Sequence, residues 1–165
     1  MLKKLLLTLL LLVPAVMSAQ KFATVNPARI LEALPEYKDS MTKIEEASRL
    51  YEEEYGRLQN EFNKKYTELQ QVQNAPAAIK ERRMQEVQEL DQKIQQFRQT
   101  VQDDLPRQRE ALLSPLRERV DNAIRAFGAT GGYTVIFRTD ATAYTDFNVE
   151  DVTDLIIMKL GLTTY

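Results

Sequence analysis

From Met41 onward, apolar residues recur at alternating steps of three and four: Met41, Ile44, Ser48, Tyr51, Tyr55, Leu58, Phe62, Lys65, Leu69 and Val72. Eight of these ten positions are apolar or aromatic. An average period of about 3.5 residues, kept for over four heptads, is that of a coiled-coil seam. Between the seam positions stand Glu45, Glu46, Glu52, Glu53, Glu54 and Lys64. These read as a solvated face. The stretch Gln73-Asn74-Ala75-Pro76 interrupts the pattern. Proline disfavours helix at the residue before it and can open the next one. The spacing resumes at Ile79, Arg83, Val87, Leu90, Ile94, Phe97 and Val101. Two helices with matching stripes and a short connection predict an antiparallel hairpin with its tip near 73–77. The first helix, Glu36 to Gln73, has 38 residues and would reach roughly 57 Å.

The second helix runs on towards Phe127 through Leu112, Leu116, Val120 and Ile124. Pro106 and Pro115 lie inside it, and a bend or break is expected near each. Such bends either let the arm curve or mark a boundary between helices.

The flanks have a different character. Lys21-Phe22-Ala23-Thr24-Val25 is a short β-like run. Asn26-Pro27 then suits the start of a short helix, Ala28–Leu34. Beyond Gly131-Gly132, the run Tyr133–Arg138 is a clear strand. A last helix is expected from Asn148, as its cap, to Leu160, with Asp151 in its first turn and Gly161 stopping it. Two strands are not independently stable, and their open edges invite pairing with other chains. Self-association is therefore expected, with Phe22, Val25, Val135 and Phe137 in the oligomer core. The fold class is mainly α with a small β body: a long antiparallel coiled-coil hairpin projecting from an oligomeric, β-rich core. The body takes in 20–35 and 128–165, and the arm 36–127.

Residues 1–19 change this picture by leaving it. Lys3 and Lys4 precede an apolar run, Leu5 to Val13, and Ser18-Ala19 precede Gln20. That pattern is a cleavable secretory signal peptide. The run is too short to span a bilayer, which needs about 20 residues. Loss of Lys3 and Lys4 takes the formal net charge from −2 to −4. A mildly acidic chain is a poor general nucleic-acid binder, so no nucleic-acid partner is expected. Cysteine and histidine are both absent. No Ser–His or Cys–His nucleophile pair and no Cys/His zinc site can be built. No glycine-rich phosphate loop stands in the sequence, since Gly56 is alone within its helix. No enzyme activity and no cofactor are expected. Asp140, Asp146, Asp151 and Asp154 are the one acidic group near irregular chain. Capping and solubility account for them more simply than a divalent cation.

The order strand, long helical hairpin, strand, helix resembles the Skp/OmpH family of periplasmic chaperones. The resemblance is carried by Lys21-Phe22-Ala23-Thr24-Val25-Asn26, Ile30-Leu31 and Leu34-Pro35-Glu36-Tyr37-Lys38. It continues in Pro115-Leu116, Val120, Ala123, Ile124 and Gly132-Tyr133-Thr134-Val135-Ile136, then in Asp151-Val152-Thr153-Asp154 and Lys159-Leu160-Gly161-Leu162. It implies a jellyfish-shaped homotrimer whose arms surround a cavity. It also implies an ATP-independent holdase that keeps unfolded outer-membrane β-barrel proteins from aggregating in the periplasm. The alternative is a structural coiled-coil spacer or scaffold of the cell envelope. Well-known family members are strongly basic, whereas this mature chain is acidic. Off-seam Tyr66 and Met84 are the candidate client contacts. Lys80, Arg82 and Arg83 at the tip are candidates for a transient outer-membrane, lipopolysaccharide or other anionic contact.

Overall fold

The computed structural model describes residues 20–163. The expected signal peptide lies outside them. Strand β1 (Lys21–Val25) leads into helix α1 (Pro27–Ala33), where the Asn26 side chain accepts hydrogen bonds from the amides of Ala28 and Arg29 at 3.1 and 3.2 Å. This is the cap read from the sequence, and such caps contribute about 1 kcal/mol. Helix α2 (Pro35–Gln71) follows, then a turn, then helix α3 (Ala77–Gly131). Strand β2 (Tyr133–Arg138), strand β3 (Glu150–Asp151) and helix α4 (Thr153–Lys159) complete the chain. The fold is mostly helical with one small sheet.

Helices α2 and α3 run antiparallel. Glu36 pairs with Arg119 at 2.8 Å at one end, and Lys65 with Glu86 at 3.0 Å near the other. The turn spans 72–76, close to the expected tip. Helix α3 has 55 residues, roughly 80 Å of rise. It is one continuous helix through Pro106 and Pro115, so of the bend or break expected near each, the break is absent. A proline removes one intrahelical bond, and side-chain bonds span the weak point. Gln108, just after Pro106, donates to Asp104, just before it, at 2.7 Å. Gly132 then takes φ 68°, a left-handed conformation open to glycine, and ends α3.

The sheet has three strands, not the two expected, in the order β2-β1-β3. Both pairings are parallel, with Phe22 opposite Val135 and Ala23 opposite Glu150. Strand β1 is therefore central and β2 lies at an edge. The last helix is shorter than the expected 148–160. Asn148 donates to Asp146 instead of capping it. Residues 150–151 are drawn into β3, and the Val152 amide donates to the Thr24 carbonyl at 2.9 Å. Asp151 precedes the helix and accepts from the Thr153 amide at 2.9 Å. At the far end Gly161 takes φ 73°, and the Gly161 and Leu162 amides donate to the carbonyls of Met158 and Ile157. That pair of bonds is a Schellman stop.

The core sits under one face of the sheet. Ala23, Val25, Ile30, Leu34, Val120, Val152, Ile156 and Ile157 are buried against one another. Burial of each larger side chain among them stabilises by about 1.5–3 kcal/mol. Leu116, Ala123, Ile124 and Phe127 of α3 pack on this core. Among the described residues, no helix is long and apolar enough to cross a membrane.

Candidate binding surface of the helical arm

All ten seam positions from Met41 to Val72 are buried or half-buried, as the spacing requires. Only Leu58 among them is fully buried. On α3, Leu90 and Ile94 are buried, and Val87, Phe97 and Val101 are half-buried. The Tyr51 and Phe97 rings meet edge to face at 6.0 Å across the two helices. Ile79, expected in the stripe, is 44% exposed, so the apolar contact fades towards the tip.

Tyr66 and Met84 stand outside the seam at 47% and 51% exposure, and Tyr66 stacks on Phe62 at 6.1 Å. The sequence reading missed Leu50, which is 57% exposed. Its signal was an apolar residue one step out of phase with the seam at Tyr51.

The three basic tip residues do not act as one patch. Arg83 donates to Glu86 at 2.9 Å and pairs with Glu68 at 3.0 Å. Lys65 donates to the same Glu86 at 3.0 Å. These four side chains cross-link α2 to α3, and each is about a quarter exposed. The Lys65 and Arg83 hydrogen bonds hold the Glu86 carboxyl below its usual range, and Glu86 raises Lys65 in turn. The Arg83 Nε is buried with no partner. Arg83 therefore sits in the seam, its guanidinium turned to Glu68 and Glu86. Its phase in the α3 stripe already gave that signal. Arg82 stays outside, with its side chain 70% exposed and 3.5 Å from Glu86. Lys80 makes no ion pair among the described residues.

A second polar cross-link lies lower on the arm. Tyr51 donates its hydroxyl to Asp104, and Gln108 donates to both, at 2.7 Å to Asp104 and 3.3 Å to Tyr51. The Tyr51 and Gln108 hydrogen bonds hold Asp104 low, and Asp104 pushes the Tyr51 phenol up.

In the body, Phe22, Val135 and Phe137 share the sheet face turned away from the core and are partly exposed. The rings of Phe22 and Phe137 stack at 6.3 Å. Val25 differs: it is buried in the chain's own core, because it alternates to the inner face. Tyr144 and Phe147, in the segment before β3, are 81% and 92% exposed. The four aspartates each have their own partner. Asp140 accepts from Arg138, Asp146 from Asn148 and Asp151 from Thr153, and Asp154 pairs with Arg29.

A family model described as "Outer membrane protein (OmpH-like)" matches residues 21–160, which include every strand and helix described above. The chain belongs to the OmpH-like outer membrane protein family. This OmpH-like chain is also similar in fold to a solved structure of a proposed outer membrane chaperone (OmpH-like) from Caulobacter crescentus CB15. The TM-score is 0.72 at 13% identity, over 86% of this chain and 83% of that one. A search of curated proteins gave no match.

Proposed function

We propose that this OmpH-like chain is an exported, ATP-independent holdase that binds unfolded outer-membrane β-barrel proteins in the periplasm. The observation that carries the reading is an arm with apolar side chains left exposed: Leu50, Tyr66 and Met84 outside its seam, and Ile79 where the stripe fades towards the tip. An envelope spacer would need only the seam. Many weak apolar contacts on a charged, soluble arm can hold a client without folding it.

The body supports self-association, with a homotrimer as the proposed form. Phe22, Val135 and Phe137 leave an apolar sheet face uncovered, and β2 leaves a sheet edge unpaired. Lys80 and Arg82 remain for transient contact with an anionic outer-membrane surface.

The test dilutes a denatured outer-membrane β-barrel out of denaturant with the mature protein in stoichiometric excess. Light scattering should be suppressed without nucleotide. An unchanged rise would end the holdase reading. A solution mass measurement should give three copies, and a stable monomer would overturn the assembly.

A further inference from the structure

Midway along the arm, Ser48 leaves a gap in the seam. It is a small residue where the period calls for a large apolar one, and the β-branched Val101 lies across from it on α3. The gap is a shallow cleft of about 470 Å³, broadly open to solvent. That lies within the range of small-ligand pockets, roughly 300–1,000 Å³. Its walls are mainly apolar: Tyr51, Tyr55 and Phe97 give aromatic surface, and Val101 and Leu105 give aliphatic surface. Ring edges and faces of this kind suit an added aromatic ring.

Two charged side chains, Glu52 from α2 and Arg98 from α3, also line the cleft. Both are exposed, and neither pairs with another charged side chain among the described residues. Elsewhere on the arm, Arg49, Arg57 and Arg83 are engaged by carboxylates. An acceptor from one helix and a donor from the other, in one lining, complement a peptide unit, which offers one N–H and one C=O.

Resting on the holdase reading, we infer that this cleft takes one aromatic side chain of an extended, unfolded polypeptide, whose adjoining backbone N–H and C=O are met by Glu52 and Arg98. The arm then grips its client at a discrete site as well as through scattered apolar contacts. Tyr51 and Tyr55 serve both the seam and the site, because the seam is open where they meet it.

The test measures fluorescence anisotropy of a labelled, end-blocked peptide bearing one Phe among Gly and Ser, with the full mature protein. An otherwise identical Ala peptide should bind about tenfold more weakly. Ser48→Leu fills the cleft from within the seam, so it should raise the melting temperature while weakening the Phe peptide about tenfold. Glu52→Gln with Arg98→Gln leaves the packing alone and should weaken it severalfold. Equal binding of the Phe and Ala peptides, or unchanged binding by Ser48→Leu, would overturn the site. Free phenylalanine competing as well as the blocked peptide would also overturn it, in favour of a small zwitterion. Light scattering with the unmodified protein is read separately. Suppressed aggregation alongside a failed peptide assay removes the cleft and leaves the holdase reading standing.

Discussion

In the body, eight buried side chains from β1, α1, α3, α4 and the linking segments touch one another. In the arm, the pairing of α2 with α3 extends over a far longer stretch, yet between Tyr51 and Val101 only Leu58, Leu90 and Ile94 are buried. The rest of that seam is half-exposed, and two polar cross-links stand where apolar layers would otherwise continue. Geometry explains the difference. A sheet with helices on one face encloses a volume, whereas two helices side by side enclose only a line. The arm therefore keeps its shape by many partial contacts and leaves apolar surface wet. The body keeps its shape by exclusion of water.

Core truncation should separate the two regions most sharply. Ile30→Ala in the body is expected to cost about 2–5 kcal/mol in denaturant unfolding of residues 20–165. Leu58→Ala in the arm should fall at the low end of that range, because water can enter beside its half-exposed neighbours. Equal costs would mean that the arm is as well packed as the body.

Acid should come next. Glu86 is held low by Lys65 and Arg83, and Asp104 by Tyr51 and Gln108. A carboxyl depressed on folding contributes stability above its unfolded pKa and loses it as pH falls through its folded value. Amide protection in α2 and α3 should therefore drop as pH falls below about 4.3, while protection around Ile30 and Ile156 persists. Hydrogen exchange, corrected for intrinsic rates, reads both. Simultaneous loss would make the fold one cooperative unit.

Arg83→Ala should have a narrower effect. It leaves Glu68 and Glu86 sharing only Lys65 and Arg82, so exchange should quicken near the tip and not near the Tyr51 cross-link. The smallest stability change is expected from Tyr66→Ser with Met84→Ser, within about 0.5 kcal/mol each. The same variant should suppress client aggregation less well, which separates surface function from folding.

Every position of the repeat of three and four from Met41 to Val72 is at least partly covered, because a two-helix seam is a one-dimensional pattern. The Asn26 cap and the Gly161 stop were equally local and equally legible. The proline breaks were not, since neighbours decide whether a helix tolerates a missing donor, and here Asp104 and Gln108 bridge the site. Strand β3 was missed because two residues, Glu150 and Asp151, carry no alternation. They are a strand only because Thr24 and Ala23 lie beside them. Arg83 was grouped by its neighbours in sequence, while its partners Glu68 and Glu86 are set by the hairpin. Sequence proximity is a poor guide wherever the chain folds back on itself.

The central position of β1 has a consequence for the order of assembly. Its partners, Tyr133 to Arg138 and Glu150 to Asp151, lie at the other end of the chain. Strand β1 therefore has nothing in the sheet to pair with until residues 133–151 are present. The hairpin, made of nearer contacts, can form first and bring the two ends together, which lowers the loop-closure penalty. A chain cut short before residue 133 would have arms but no sheet. Completion of the body thus reports that both β2 and β3 have been made.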